Sequence, residues 1–322
     1  MNIIILGAGT FGTAIGNELS LNTLNNVILL SSNNNKVNEI NHLHTNKSCF
    51  PNKHLSKRLK ATLNKDVVKD ADIIFIALPS SVILEYLLQL RPFFHENLLL
   101  VNLSKGLLKD GVTIVENIQD TLDIENVVSL KGPSFAVEIM EHADTLLTLG
   151  YKKDKHYKLI KQIIKQTALH IEPTNDIRGI ELLSVLKNIY ALVIGVIDAK
   201  YNSPNTRFMI LTKAFSEIRI ILKILHGKED SLFLYSLFGD FCLTSLNDLS
   251  RNRTLVLLIG KGFFNSDYKS NSVILEGLNA IEILHDKINQ KSENELPIFY
   301  KLYQFFHNKD KNLEFKFDEL IK

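Results

Sequence analysis

The sequence predicts an α/β domain with a doubly wound, mostly parallel sheet, followed by an all-α domain. Three observations carry this reading. Short apolar runs alternate with helical patterns through the first half of the 322 residues. A glycine turn, Gly7-Ala8-Gly9-Thr10-Phe11-Gly12, lies between the first apolar run and the first amphipathic stretch. Strand-like alternation then fades near Asp176, and long helical patterns fill the rest. Strands alternating with helices argue for a parallel sheet covered on both faces. The chain is long enough for two domains of ordinary size, which we place at residues 1–176 and 177–322.

The elements follow in order. Residues 1–6 form an apolar run and read as the first strand. Further buried strands are expected at 27–30, 73–78, 98–103, 127–130, 145–149 and 169–171. Intervening helices are expected at 82–90, 113–122, 135–141 and 156–167. Asn33-Asn34-Asn35 marks a polar loop after the second strand. Beyond Asp176, helices are expected at 180–197, 208–225, 253–259, 272–287 and 296–306.

A strand, a complete G-x-G-x-x-G turn and a helix form the fingerprint of a dinucleotide-binding Rossmann unit. Gly7 can take the tight turn. Gly9 lacks the side chain that would keep a pyrophosphate from the backbone, and Gly12 lets helix and strand pack closely. The helix N-terminus then directs N–H groups and a positive dipole end at the phosphates. NAD-selective units place an Asp or Glu about 20 residues further on. Here the second strand ends in Ser31-Ser32-Asn33, and no acid appears before Glu39. Lys36 is within reach of a 2′-phosphate, so the loop favours a site that takes either NAD or NADP.

Composition excludes several classes. A formal net charge of +2 gives no electrostatic case for nucleic acid. Two cysteines, Cys49 and Cys242, build neither a disulfide framework nor a zinc pattern. The ten histidines lack metal-ligand spacing, so no metal is expected. No apolar run reaches the roughly 18 residues of a membrane span. The N-terminal run has no basic segment before it. The expectation is a cytoplasmic protein with reduced thiols.

Lys187 interrupts an almost wholly apolar helix. On a helical wheel it shares a small, polar stripe with Ser184, Asn188, Ala191, Gly195 and Asp198. Burying an ammonium is costly unless it is paired. Lys187 therefore reads either as a ligand-facing group or as a lysine snorkelling at the rim of a core helix. Ser104-Lys105-Gly106 follows an expected strand, where open α/β sheets bind ligands; a surface turn fits equally. Gly132-Pro133-Ser134-Phe135-Ala136 opens a helix. Its residues fit a turn with Ser134 as N-cap, or a turn that touches the nicotinamide end of the cofactor. Ser250, Arg251, Asn252 and Arg253 supply many donors and suit phosphate oxygens, or form a capped helix start. Asp240 can orient a lysine, accept from a substrate hydroxyl, or stand in a surface turn.

Taken in order, these segments resemble the bacterial-type NAD(P)-dependent glycerol-3-phosphate dehydrogenases. The resemblance runs through GAGTFGTA, the SKGL at Ser104, GPSFAVE at Gly132, LKNIYAL at Leu186, the DAK of Asp198, the GD of Gly239, LSRNR at Leu249 and LEG at Leu275. It implies reversible reduction of dihydroxyacetone phosphate to sn-glycerol 3-phosphate, a supply for glycerophospholipid synthesis, usually by a homodimer. It implies Lys187 as general acid/base and Lys105 as a second lysine holding the same oxygen. It implies substrate contacts from Gly132, Ser134, Asp240, Ser250, Arg251 and Asn252. Cofactor contacts would come from Gly7, Gly9, Thr10, Phe11, Gly12, Ser32, Lys105, Ala136, Arg251, Ile274 and Glu276.

The chain departs from the family pattern in three places. Lys200-Tyr201-Asn202-Ser203-Pro204 stands where glycines are usual. Ser236-Leu237-Phe238 lacks an extra glycine, and Phe241-Cys242 is bulkier than expected. A related two-domain β-hydroxyacid-type dehydrogenase and a catalytically silent dinucleotide sensor are the alternative readings.

Overall fold

The computed structural model describes residues 1–108, 111–201, 203–246, 272–288 and 293–307. It divides into two compact units. One comprises Met1–Lys105 and Ile114–Ile177, the other Gly106–Thr113 and Arg178–Lys322.

The first unit is built on one eight-stranded sheet. Its strands are β1 (Asn2–Leu6), β2 (Asn26–Leu30), β3 (Lys60–Thr62), β4 (Ile73–Ile76), β5 (Leu99–Asn102), β6 (Val127–Lys131), β7 (Thr145–Gly150) and β8 (Leu169–Thr174). They lie in the order β3-β2-β1-β4-β5-β6-β7-β8. All neighbours are parallel except β6 and β7, which pair antiparallel. Between them run α1 (Thr10–Leu19), α2 (Asn34–Asn38), α3 (Ile83–Leu90), α4 (Ile114–Leu122), α5 (Ala136–Ile139) and α6 (Asp154–Ile163).

The inner strands β1, β4 and β5 are buried on both faces, so they read as continuous apolar runs. The period-2 alternation sends successive residues to opposite cores. Ile3, Ile5, Phe75 and Val101 pack on one side with Ala14 and Ile15 of α1 and Ile160 and Ile163 of α6. Ile4, Leu6, Ile74, Ile76 and Leu100 pack on the other with Leu87 of α3 and Ile118 of α4. The doubly wound expectation follows from this division.

Several boundaries move. β3 has no apolar run of its own and adds three residues to the sheet edge beside β2. The loop expected at Asn33-Asn34-Asn35 is short: α2 starts at Asn34, and a π-type turn over Glu39–Leu43 follows it. The last strand extends to Thr174, and Pro173 is tolerated because β8 is an edge strand. Ser134 is not an N-cap: Phe135 holds that position, and the Ser134 hydroxyl donates to the Gly132 carbonyl at 3.0 Å.

The second unit is helical, with α7 (Ile177–Tyr201), α8 (Pro204–Ile224), α9 (Asp240–Leu246), α10 (Ser272–Ile288) and α11 (Pro297–His307). The expected helix at 253–259 lies outside the described residues. Of the segment Lys200–Pro204, Asn202 lies outside the described residues. Helix α7 continues through Tyr201, and Ser203 caps α8 by accepting from the Thr206 N–H at 3.4 Å. Pro204 sits in the first turn, where its missing N–H costs nothing. Arg207 then pairs with Asp198 at 2.5 Å.

The bulky residues before and after Asp240 are absorbed by packing. Phe241 is fully buried, and both it and Phe238 pack on Phe215 of α8 at 5.4 and 5.7 Å between ring centroids. A buried carboxylate ties three helices together. Glu217 of α8 accepts the Ile298 and Phe299 N–H groups of α11 at 2.8 and 3.0 Å and the Tyr190 hydroxyl of α7 at 2.9 Å. Those N–H groups belong to a helix start and would otherwise lack partners. Burial pushes the Glu217 carboxyl up to about 7, against the pull of its hydrogen bonds.

Candidate active site

In the first unit the site begins where the strand order reverses. Strand β1 lies between β2 and β4, and ligands of open α/β sheets bind beyond the carboxyl ends of strands at such a point. Gly7 follows β1 with φ +105°, a conformation an L side chain resists, and its N–H donates to the Leu30 carbonyl of β2 at 2.9 Å. A Cβ on Gly12 would overlap the Gly7 carbonyl oxygen, so α1 packs against the turn only with glycine there.

Gly9 is different. Its backbone is extended (φ −79°, ψ −177°), and a Cβ there would meet nothing within 4 Å. The fold does not need this glycine, so the open space before it suits a bound group. Helix α1 starts directly behind it and has no acidic residue in its first turn, so no side chain there neutralises its positive end. Thr10 and Phe11 form that turn and are half-buried. A cleft of about 560 Å³ opens here, lined by Gly7, Gly9, Ser31, Ser32, Asn33 and Lys36 among others. The dimensions and donors fit a dinucleotide phosphate.

The second predicted segment of this unit is held by a buried polar network. The Ser104 hydroxyl donates to the Leu78 carbonyl at 2.6 Å, and its N–H donates to the Asn102 side chain at 3.0 Å. Lys131, 2% exposed at the end of β6, donates to the Asn102 and Ser104 carbonyls. Its charge braces the turn that presents Lys105, which is half-buried. Lys131 was not predicted; the signal for it is a cation closing an apolar strand. Gly132 follows it, and a Cβ there would press within 3.1 Å of the Leu146 carbonyl of β7. Packing therefore accounts for this glycine. Ala136 opens α5.

In the second unit Lys187 is 3% exposed, and so is Asp240. Lys187 is not a snorkelling lysine, and Asp240 is not a surface aspartate. The Lys187 Nζ donates to Asp240 Oδ1 at 2.8 Å and to Thr244 Oγ1 at 2.6 Å. Asp240 begins α9, and Thr244 lies one turn along it, 3.4 Å from the same carboxylate oxygen. A buried ammonium is thus paired and directed by two groups on a neighbouring helix. Thr244 was also not predicted; its spacing of one helical turn from Asp240 is the available signal. Of the polar stripe on α7, Ser184 turns back to the Glu181 carbonyl, and Asp198 pairs with Arg207.

Ser250, Arg251 and Asn252 lie outside the described residues. Ile274 and Glu276 lie on the backbone of α10, with side chains outside the description. Among the described residues no group of three or more His, Cys, Asp or Glu is placed to hold a metal, and no helix is long and apolar enough to cross a membrane.

The family model for the NAD-dependent glycerol-3-phosphate dehydrogenase N-terminus matches residues 2–157, and that for its C-terminus matches residues 176–315. The chain belongs to this family. It is a nicotinamide-dinucleotide-dependent enzyme, and the cleft at Gly9 is where its own residues fit that cofactor. It is similar to the glycerol-3-phosphate dehydrogenase [NAD(P)+] of Malacoplasma penetrans, 32% identical over 95% of this chain and 92% of that one. The enzyme of the same name from Methanothermobacter thermautotrophicus is 30% identical, over 94% of this chain and 92% of the relative. Among solved structures, a glycerol-3-phosphate dehydrogenase from Coxiella burnetii superposes with a TM-score of 0.84 at 25% identity. That match covers 95% of this chain and 94% of the other.

Proposed function

We propose that the chain catalyses the reversible NAD(P)H-dependent reduction of dihydroxyacetone phosphate to sn-glycerol 3-phosphate, with Lys187 as general acid/base. The observation that carries this is the buried Lys187–Asp240 pair, held at 2.8 Å with Thr244 as second acceptor. A bound nicotinamide supplies the hydride in reduction and accepts it in the reverse direction. Lys187 donates a proton to the substrate's carbonyl oxygen as it becomes a hydroxyl, and removes that proton in the reverse direction. Asp240 and Thr244 fix the ammonium so that its N–H vectors are preorganised rather than sampled.

The remaining roles rest on the family resemblance. Lys105 holds the same oxygen region and also faces the cofactor. Gly132, Ser134, Asp240, Ser250, Arg251 and Asn252 bind the substrate, with Arg251 and Asn252 on its phosphate. Gly7, Gly9, Thr10, Phe11, Gly12, Ser32, Ala136, Arg251, Ile274 and Glu276 bind the dinucleotide. The product feeds glycerophospholipid synthesis, and the chain works in the cytoplasm as a homodimer.

Steady-state assay of dihydroxyacetone phosphate with NADH and with NADPH tests the reading. Turnover with either supports it. Preferred turnover of a β-hydroxyacid, or tight dinucleotide binding with no turnover, would overturn it. Arg251→Ala should raise the substrate KM about 10- to 100-fold, the usual weight of a charge-assisted bond to phosphate. An unchanged KM would place the phosphate elsewhere.

A further inference from the structure

We propose that Lys36 recognises the 2′-phosphate of the dinucleotide, so that this chain binds the phosphorylated form through an ammonium on α2. The inference rests on the dinucleotide reading of the Gly9 cleft and adds the residue that reads the ribose.

Three observations converge. First, the end of β2 carries hydroxyls and an amide where a ribose-binding acid would stand. Ser31 Oγ accepts the Asn33 N–H at 3.1 Å, and Asn33 Oδ1 accepts the Lys36 N–H at 3.1 Å. Second, Glu39, the first acid in the sequence after β2, is turned to another task. Its Oε1 accepts from Thr45 Oγ1 at 2.8 Å and from the Lys47 N–H at 2.7 Å, bonds that help hold its carboxyl below the usual range. It does not line the cleft, where the acid present is Glu85, on α3 rather than beside the end of β2. Third, Lys36 lines the cleft half-buried, with Nζ 3.3 Å from the Ala8 carbonyl of the glycine turn and 3.8 Å from Cys49 Sγ. Among the described residues no carboxylate lies within ion-pair distance of it.

The turn thus holds the cation close to the phosphate-binding backbone, with Glu39 acting on it through space but not in direct contact. A dianionic 2′-phosphate would meet an ammonium whose desolvation is already part-complete, and a bare ribose would meet no carboxylate from the end of β2 to receive its hydroxyls. The selection comes from charge, so it should weaken with salt.

The test is a calorimetric titration of the full chain with adenosine 2′,5′-bisphosphate and with 5′-AMP. The wild type should bind the bisphosphate at least tenfold more tightly. Lys36→Ala should reduce that ratio about tenfold or more while leaving the 5′-AMP affinity within about twofold, and Lys36→Arg should preserve the ratio. A merely structural role, through the Ala8 carbonyl, would weaken both nucleotides together and overturn the proposal. So would an unchanged ratio in Lys36→Ala. Failure of the wild type to bind either nucleotide would overturn the dinucleotide reading as well; equal binding of both would overturn the role of Lys36 alone.

Discussion

The two units hold their functional groups by opposite means. In the first, the cleft at the glycine turn is made of backbone: φ +105° at Gly7, an open face at Gly9 and the start of α1. In the second, it is a pair of charged side chains taken out of water, Lys187 against Asp240. A backbone site needs only the absence of side chains and is cheap to maintain. A buried ionic site is costly to desolvate and secure only while every partner stays. The two should therefore break differently: the first by adding atoms, the second by removing a partner.

The largest effect is expected at Lys187. Lys187→Ala should lower turnover about 10²- to 10⁴-fold, the range for loss of a positioned acid/base, while dinucleotide affinity stays nearly unchanged. It also removes the ion-pair partner of Asp240, which is 3% exposed, and should cost about 3–5 kcal/mol of stability. Asp240→Asn in the Lys187→Ala background should restore much of that stability and none of the turnover. Denaturant titration of the four variants reads the cycle. Additive stabilities would show that the 2.8 Å pair carries no coupling.

These two modes of construction also explain what the sequence disclosed. The glycine turn is legible because its geometry is local: residues 7–12 contain the strand end, the turn and the helix start. The sheet is legible because residues buried on both faces must be apolar. Lys187 stands out as a lone cation in an apolar helix, and Asp240 as a group able to orient a lysine, but their pairing and the second partner, Thr244, do not. Asp240 lies 53 positions away and Thr244 57, and nothing in their local sequence fixes that pairing. Lys131 is hidden for the same reason, since its acceptors are carbonyls of Asn102 and Ser104 on a neighbouring strand and loop. β3 is missed because three edge residues carry no pattern. Lys200–Pro204 misleads because the family's glycines suggest a loop, whereas here Ser203 and Pro204 supply helix-start chemistry instead.

The backbone site gives the next contrast, between two glycines in one motif. Gly12→Ala forces a Cβ against the Gly7 carbonyl, a backbone atom that has little room to give. It should cost about 1–3 kcal/mol, as overpacking does, and weaken dinucleotide binding through the displaced turn. Gly9→Ala meets nothing in the protein. It should leave stability within about 0.5 kcal/mol and still weaken binding about tenfold, because the added methyl occupies the phosphate's approach. Thermal melts and nucleotide titrations on both variants separate the two. A Gly9→Ala protein that binds normally would remove the argument that its open face belongs to a ligand.

The smallest effect, a slope in stability against pH, should carry opposite signs in the two units. Burial raises the Glu217 carboxyl from 4.5 to about 7. Between those values the folded chain holds a proton that the unfolded chain releases, so stability falls as pH rises. In the first unit, burial and the neighbouring Lys155 and Lys153 lower His156 from 6.5 to about 4. There the unfolded chain binds the extra proton, so stability falls as pH drops through that window. Each slope is bounded by about 1.4 kcal/mol per pH unit. They oppose one another between about 4.5 and 6.5, where the wild type should therefore be comparatively flat. Glu217→Gln should expose the His156 contribution as stability that rises with pH. His156→Phe should expose the opposite slope. Denaturant unfolding at several pH values reads both. A Glu217→Gln profile parallel to wild type would mean that its three hydrogen bonds from Ile298, Phe299 and Tyr190 keep the carboxylate charged despite burial. In that case the tie between α7, α8 and α11 would rest on an ionised Glu217.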